Sequence, residues 1–101
     1  RGEPRVAVYC ASKAAVISLT QSLAHELIKQ RINVNAIAPG VIDTPMNDGN
    51  PEGMNDVLVK TTPMRRMGQP DEIAQAILWL ASPSSSFATG AELAVDGGMS
   101  I

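Results

Sequence analysis

Residues 13–40 read KAAVISLTQSLAHELIKQRINVNAIAPG, and the hydrophobic period changes once inside that run. As far as Lys29 there is no Gly or Pro, and Val16, Leu19, Leu23 and Leu27 recur at three- and four-residue steps, the spacing of a helix face. Ala14, Ala15, Ile17, Ala24 and Ile28 carry apolar surface well past a single stripe, which predicts a helix buried on more than one side. From Arg31 to Ala38 the period drops to two: Asn33 and Asn35 alternate with Ile32 and Val34, a strand stopped by Pro39-Gly40. If Asn35 is buried, its amide needs hydrogen-bond partners.

Downstream the same order repeats. Residues 39–50 form a loop with Pro39, Gly40, Pro45, Asp48 and Gly49, followed by a polar segment, Pro51 to Lys60, read as a short mobile helix. A loop this long after a strand is the usual place for a lid or substrate contact. Met46, Met54 and Met64 are expected to fill gaps in packing rather than touch substrate. Pro70 suits the first position of a second helix, and Asp71 and Glu72 favour its positive end. Ile73, Ile77 and Leu80, with Ala74, Ala76 and Ala81, form its expected buried face, and Ser82-Pro83 ends it. Trp79 is expected at a surface between elements or subunits. A last strand, Glu92 to Val95, closes on Asp96-Gly97-Gly98. Helix, strand, long loop, helix, strand predicts parallel α/β architecture with right-handed crossovers.

Upstream lies Tyr9-Cys10-Ala11-Ser12-Lys13. On a helix, residues four apart share one face, with Cβ atoms about 5–6 Å apart. A free tyrosine titrates near ~10 and is a poor base at neutral pH. A cation about 4 Å away at an effective dielectric of ~20 favours the phenolate by ~4 kcal/mol before desolvation, up to ~3 pKa units. Tyr9 and Lys13 are therefore a candidate acid–base couple. Taken alone, the two residues favour a half-exposed Tyr and a solvated Lys on an ordinary helix.

The chain of 101 residues is 45% hydrophobic and 18% charged with a formal charge of -2, so it lacks the basic footprint of a nucleic-acid binder or an anionic-membrane binder. The uncharged run Ala14–Ala24 contains Ser18, Thr20, Gln21 and Ser22 and is too short and polar to span a bilayer. The lone Cys10, read as a small packing residue, permits no internal disulfide, in keeping with a reducing cytoplasm. His25 reads as a surface residue, and no metal site is expected. Arg1-Gly2-Glu3-Pro4 reads as a loop inside a longer domain, without initiator Met or signal peptide.

With its elements placed, the chain resembles the C-terminal part of a short-chain dehydrogenase/reductase. The resemblance rests on Tyr9-x-x-x-Lys13 within YCASKAAV, on NVNAIAPGVIDTPM (33–46), on PMRRMGQPDEIAQAILWLAS (63–82) and on TGAELAVDGG (89–98), in the family's order over nearly the whole chain. It implies that residues 1–101 are the C-terminal portion of one Rossmann-type doubly wound domain with flanking helices. The family's glycine-rich loop, its catalytic serine and its cofactor-selecting residue would precede Arg1.

The resemblance also implies site roles. Tyr9 would be the general acid/base, and Lys13 would bind the nicotinamide ribose and lower the Tyr9 pKa. Pro39 and Gly40 would turn the chain beneath the nicotinamide. The Ile42 backbone would hold the carboxamide, and the Thr44 hydroxyl would sit near the carboxamide or pyrophosphate. Plain-turn and local-hydroxyl readings of Pro39-Gly40 and Thr44 stand beside these. The cofactor would be NAD or NADP, with NAD ahead. The opening run most resembles sorbitol and polyol dehydrogenases, which implies oxidation of a secondary alcohol of a sugar alcohol, with Asp43, Thr44, Asn47, Asp48 and Asn50 available to hydroxyls. The later runs are shared with 3-oxoacyl-acyl-carrier-protein reductases, the alternative. A non-catalytic NAD(P)-binding or scaffold protein is a third reading, opposed by the retention of both Tyr9 and Lys13. A cytoplasmic homo-oligomer, dimer or tetramer, acting on a small molecule is implied. Two strands do not make an independently stable sheet, so the isolated piece is expected to be inactive and at best marginally folded.

Overall fold

Helix α1 spans Pro4–Leu27, with Pro4 at its first position rather than in a loop. The computed structural model describes residues 4–101, and of Pro4, Arg5, Val6 and Tyr9 the backbone alone; the Arg1-Gly2-Glu3 part of the expected loop lies outside the described residues. A 3-10 turn, Ile28–Gln30, tightens the end of α1, and Arg31 takes left-handed geometry at φ 61°. The Arg31 N–H donates to the Ile28 carbonyl at 3.1 Å and the Ile32 N–H to the Leu27 carbonyl at 3.3 Å, the two bonds of a Schellman cap. A non-glycine residue in that conformation costs about 1–2 kcal/mol, roughly what two net hydrogen bonds return. Arg31 therefore ends the helix and does not begin a strand.

Strand β1 is Ala36–Pro39, shorter than the expected 31–38. The residues before it are paired through side chains. The Asn35 amide donates to the Ala88 carbonyl at 3.0 Å and accepts from the Ala91 N–H at 3.1 Å. Asn33 donates to the Ser86 carbonyl at 3.1 Å, and Thr89 Oγ1 accepts from the Val34 N–H at 3.1 Å. Strand β2, Glu92–Val95, falls where the sequence put it. Ala36 donates to Ala91 at 2.9 Å and Gly40 to Val95 at 3.1 Å, so donor and acceptor advance together and the two strands run parallel.

Between them lie a 3-10 turn, Pro45–Gly49, helix α2, Met54–Thr61, helix α3, Pro70–Leu80, and a 3-10 turn, Pro83–Ser85. On α3 the half-buried residues are Ile73, Ala76 and Leu80; Ile77 is 54% exposed, and Ala74 and Ala81 are exposed too. One packed face is available, and the i, i+3, i+7 stripe takes it. Ser85 is buried, and its hydroxyl donates toward the Leu80 and Ser82 carbonyls at 2.9 and 3.2 Å, satisfying groups that α3 leaves open at its end.

By contact the chain divides into two compact units: residues up to Ala36 with Ser86–Glu92, and Ile37–Ser85 with Leu93–Ile101. In the first, Ala24 and Thr20 are buried, and the Thr20 hydroxyl donates to the Val16 carbonyl at 2.7 Å. Val16 and Leu19 are 55% and 59% exposed and Cys10 is exposed, so one side of the helix is left uncovered by the described residues. Such a helix needs partners on both faces, and its unit supplies one. In the second, Thr62 is buried, while Met46 and Met64 stand at 87% and 65% exposure and do not fill gaps.

Among the described residues, Ala24 is the sole buried hydrophobic residue. Apolar burial contributes about 25 cal/mol per Å², and so little of it does not offset an ordering cost of ~1–2 kcal/mol per residue. The isolated 101-residue chain is expected to melt over a broad range without a cooperative transition; a sharp calorimetric peak would count against this.

Candidate functional site

Tyr9 and Lys13 lie one turn apart on α1 in the first unit. Lys13 is exposed; the Tyr9 side chain, and with it the expected lowering of its pKa, lies outside the described residues. Pro39, Gly40, Ile42 and Thr44 all lie in the second unit.

Pro39 closes β1, but Gly40 does not turn the chain. Its N–H still extends the ladder to Val95, and the bend comes at Val41. Gly40 is required for another reason: a Cβ there would stand 2.7 Å from Asp96 Cα. Past the bend, Ile42 forms a parallel bridge with Gly68. Gly68 donates its N–H to the Val41 carbonyl and accepts from the Asp43 N–H, both at 2.8 Å. Neither bond uses the N–H or C=O of Ile42, which in such a bridge point together away from Gly68. A primary carboxamide, with one acceptor oxygen and two donor hydrogens, is the complement of that pair.

Thr44 is engaged locally. Its N–H and its hydroxyl both donate to Asn47 Oδ1, at 3.0 and 3.2 Å, which leaves the hydroxyl lone pairs to accept. Asn55 donates to the Asn47 carbonyl at 3.2 Å, and Asn50 donates to Asn55 Oδ1 at 2.8 Å. The polar loop thus spends its amides on its own shape and on the start of α2.

Sequence reasoning missed the brace behind this loop. Arg66 donates through both guanidinium nitrogens to Glu72, at 2.7 and 3.0 Å, and Glu72 also accepts from the Gln69 N–H at 2.9 Å. These hydrogen bonds, the one from Arg66 first, hold the Glu72 carboxyl down at about 2, and the same pairing raises the Arg66 pKa. The signal was present as Gln69-x-x-Glu72 before an apolar run, the spacing of a capping box. A cavity of about 350 Å³ adjoins the brace, lined by Ile42, Gly68 and Ile73 among others. Its charged walls are committed: Arg66 to Glu72, and the Asp96 carboxylate to the N–H groups of Gly98 and Ser100 at 3.0 and 3.1 Å. It reads as a packing space rather than a reaction centre. Among the described residues no group of three His, Cys, Asp or Glu is placed to hold a metal, and no helix is long and apolar enough to cross a membrane.

A family model described as enoyl-(acyl carrier protein) reductase matches residues 1–100. The chain belongs to the short-chain dehydrogenase/reductase family. Within the family it is 46% identical over 100 residues to the 3-oxoacyl-(acyl-carrier-protein) reductase FabG of Thermotoga maritima, covering 99% of this chain and 41% of the relative. It is likewise 46% identical over 99 residues to that of Chlamydia muridarum, covering 98% and 40%. The chain therefore spans about two-fifths of the length of these relatives. A crystal structure of 3-oxoacyl-(acyl-carrier protein) reductase from Brucella melitensis superposes with a TM-score of 0.87 at 49% identity, covering 92% of this chain and 35% of that one. A blue fluorescent protein from a metagenomic library, solved in complex with NADPH, gives 0.86 at 38% identity, covering 95% and 38%. The Rossmann-like α/β fold agrees with these family members, and the relatives' names favour the acyl-carrier reductase alternative over the polyol reading.

The folded-state pKa of Glu72 lies below the ordinary glutamate value of 4.5, so its contribution to stability is complete above that value and is lost as pH falls toward about 2. In the full-length protein, Glu72→Gln is expected to flatten the acid-unfolding profile between those limits by a small amount, because solvent screens this exposed pair. Superimposable profiles of parent and variant would refute the brace as an acid-sensitive element.

Proposed function

We propose that the protein to which this chain belongs is an NAD(P)-dependent 3-oxoacyl-(acyl-carrier-protein) reductase. The observation that carries this reading is a family member keeping Tyr9 and Lys13 one turn apart on one helix, with relatives of that name at 46% identity over nearly the whole chain. Residues 1–101 act as the C-terminal portion of a single Rossmann-type domain. A nicotinamide held by these residues would supply the hydride for the 3-keto carbon. Tyr9 gives its phenolic proton to the keto oxygen as the carbon–oxygen double bond becomes a single bond, so the ketone leaves as a secondary alcohol. Lys13 holds the nicotinamide ribose and stabilises the phenolate that remains. Ile42 holds the carboxamide through its open N–H and C=O, and Pro39, Gly40 and Thr44 complete that side.

A polyol dehydrogenase runs the same proton step in reverse. The relatives that match over nearly the whole chain do not carry that name, and the Asn50 and Asn55 amides of the polar loop are turned on their own segment. An acyl-carrier partner is acidic, and Arg66 is already taken by Glu72, so Arg65 and other cations would have to meet it. The exposed Val8, Val16 and Leu19 on α1 favour a helix that is covered in the full-length protein, by the rest of its domain or by a second subunit of a dimer or tetramer.

Two measurements on the full-length protein test the reading. Tyr9→Phe should lower turnover by about 10²–10⁴ while leaving cofactor affinity nearly unchanged; undiminished turnover refutes the role. Given 3-oxoacyl thioesters and polyols in parallel, the enzyme should consume reduced nicotinamide with the thioesters. Reduction of cofactor by a polyol alone would reverse the choice of substrate.

A further inference from the structure

Between the ladder bond at Gly40 and the local cap at Thr44, residues 41–43 make two backbone hydrogen bonds, and Gly68 is the partner in both. Whatever fixes Gly68 fixes the direction of the Ile42 peptide groups. Gly68 in turn sits inside a closed ring. Arg66 reaches over residues 67–69 to Glu72, also donating to the Met67 carbonyl at 3.2 Å, and Glu72 returns to the Gln69 N–H. Glu72 itself stands in the first turn of α3, where the backbone is hydrogen-bonded and regular. A rigid helix thus holds a carboxylate, the carboxylate holds a guanidinium and an amide, and the short segment between them presents one peptide to the loop.

Space is equally constrained. A Cβ at Gly68 would lie 2.8 Å from Ile42 Cδ1, so any side chain there must push Ile42 aside. Gly68 has no left-handed backbone to excuse it. Its missing side chain is needed for the close approach of the two segments.

We infer that Gly68 and the Arg66–Glu72 pair are positioning residues that set the Ile42 N–H and C=O for the cofactor carboxamide. The inference rests on the proposed function, which places the carboxamide at Ile42. It goes beyond that function in assigning specificity for the nicotinamide end of the cofactor to three residues that do not touch it.

The test uses the full-length protein and two ligands, the reduced nicotinamide dinucleotide and the matching ADP-ribose, which lacks the nicotinamide ring. Both affinities are measured by titration calorimetry for the parent, Gly68→Ala, Glu72→Ala and Glu72→Gln. Loss of one or both carboxamide hydrogen bonds should weaken the dinucleotide about three- to thirtyfold in Gly68→Ala and Glu72→Ala and leave ADP-ribose within about twofold. Glu72→Gln keeps an acceptor for Gln69 but loses one arm of the fork to Arg66, so it should show a smaller loss, again confined to the dinucleotide, and it carries the test if an alanine variant does not fold. Equal weakening of both ligands, or of neither, overturns the inference while leaving the proposed function standing. A parent that binds no nicotinamide dinucleotide overturns the function itself, and the inference with it.

Discussion

The parallel pairing of β1 with β2 is the constraint on which the rest of this structure depends. Four-residue strands offer few ladder bonds, and the pairing is prolonged at both ends by other means. Below it, the Asn33 and Asn35 amides and the Thr89 hydroxyl carry the pairing where backbone geometry is no longer regular. Each such bond is worth about 0.5–1.5 kcal/mol net, so this side-chain ladder rivals the strands it extends. Above it, Gly40 lets the chain run against Asp96 at a separation no Cβ tolerates. The Asp96-Gly97-Gly98 turn then seats on Thr62 and Met64, with the Met64 N–H donating to the Gly97 carbonyl at 3.0 Å.

That turn shows how glycine and a buried hydroxyl divide one task. Gly97 and Gly98 both have positive φ, 62° and 91°, which excuses the sequence Gly-Gly on backbone grounds alone. Gly97 is also sterically committed, since a Cβ would meet Thr62 Cγ2 at 2.7 Å. Thr62 is the most deeply buried side chain described, and its hydroxyl donates back to the Leu58 carbonyl at 3.0 Å, so its polarity is satisfied inside α2 before its methyl packs outward. Burial of a hydroxyl here costs little because its partner is local.

Much of this was legible in the residues. The start of α3 and the last strand were placed to the residue because Pro70 and the Asp96-Gly97-Gly98 turn are local signals. The first strand was misplaced because Arg31 carries no mark of a left-handed cap; Gly or Asn would have shown it. Exposure of Ile77, Val16 and the methionines was not legible, since periodicity says which residues share a face and not how many faces find a partner. Thr44, Asn47 and Asn50 were read toward a ligand, and each also has a local hydrogen bond: Thr44 and Asn50 donate three and five residues ahead, and Asn47 Oδ1 accepts from Thr44. Hydrogen bonds within a loop leave no periodic trace.

Arg66 illustrates why charge counted from a sequence misleads about a surface. Beside Arg65 it counts as a second positive charge, yet its guanidinium is forked onto the carboxylate of Glu72, which offsets that charge. The pair is solvent-exposed, with the two side chains at 54% and 43%, and an exposed ion pair by itself adds little to stability. Its value is geometric. Two parallel bonds hold a planar guanidinium in one orientation, and a lysine with a single point charge would not. Stability and placement are separate properties of such a contact. A brace that adds little to the first can still decide the second, because a peptide group turned a few tens of degrees no longer meets a carboxamide in line.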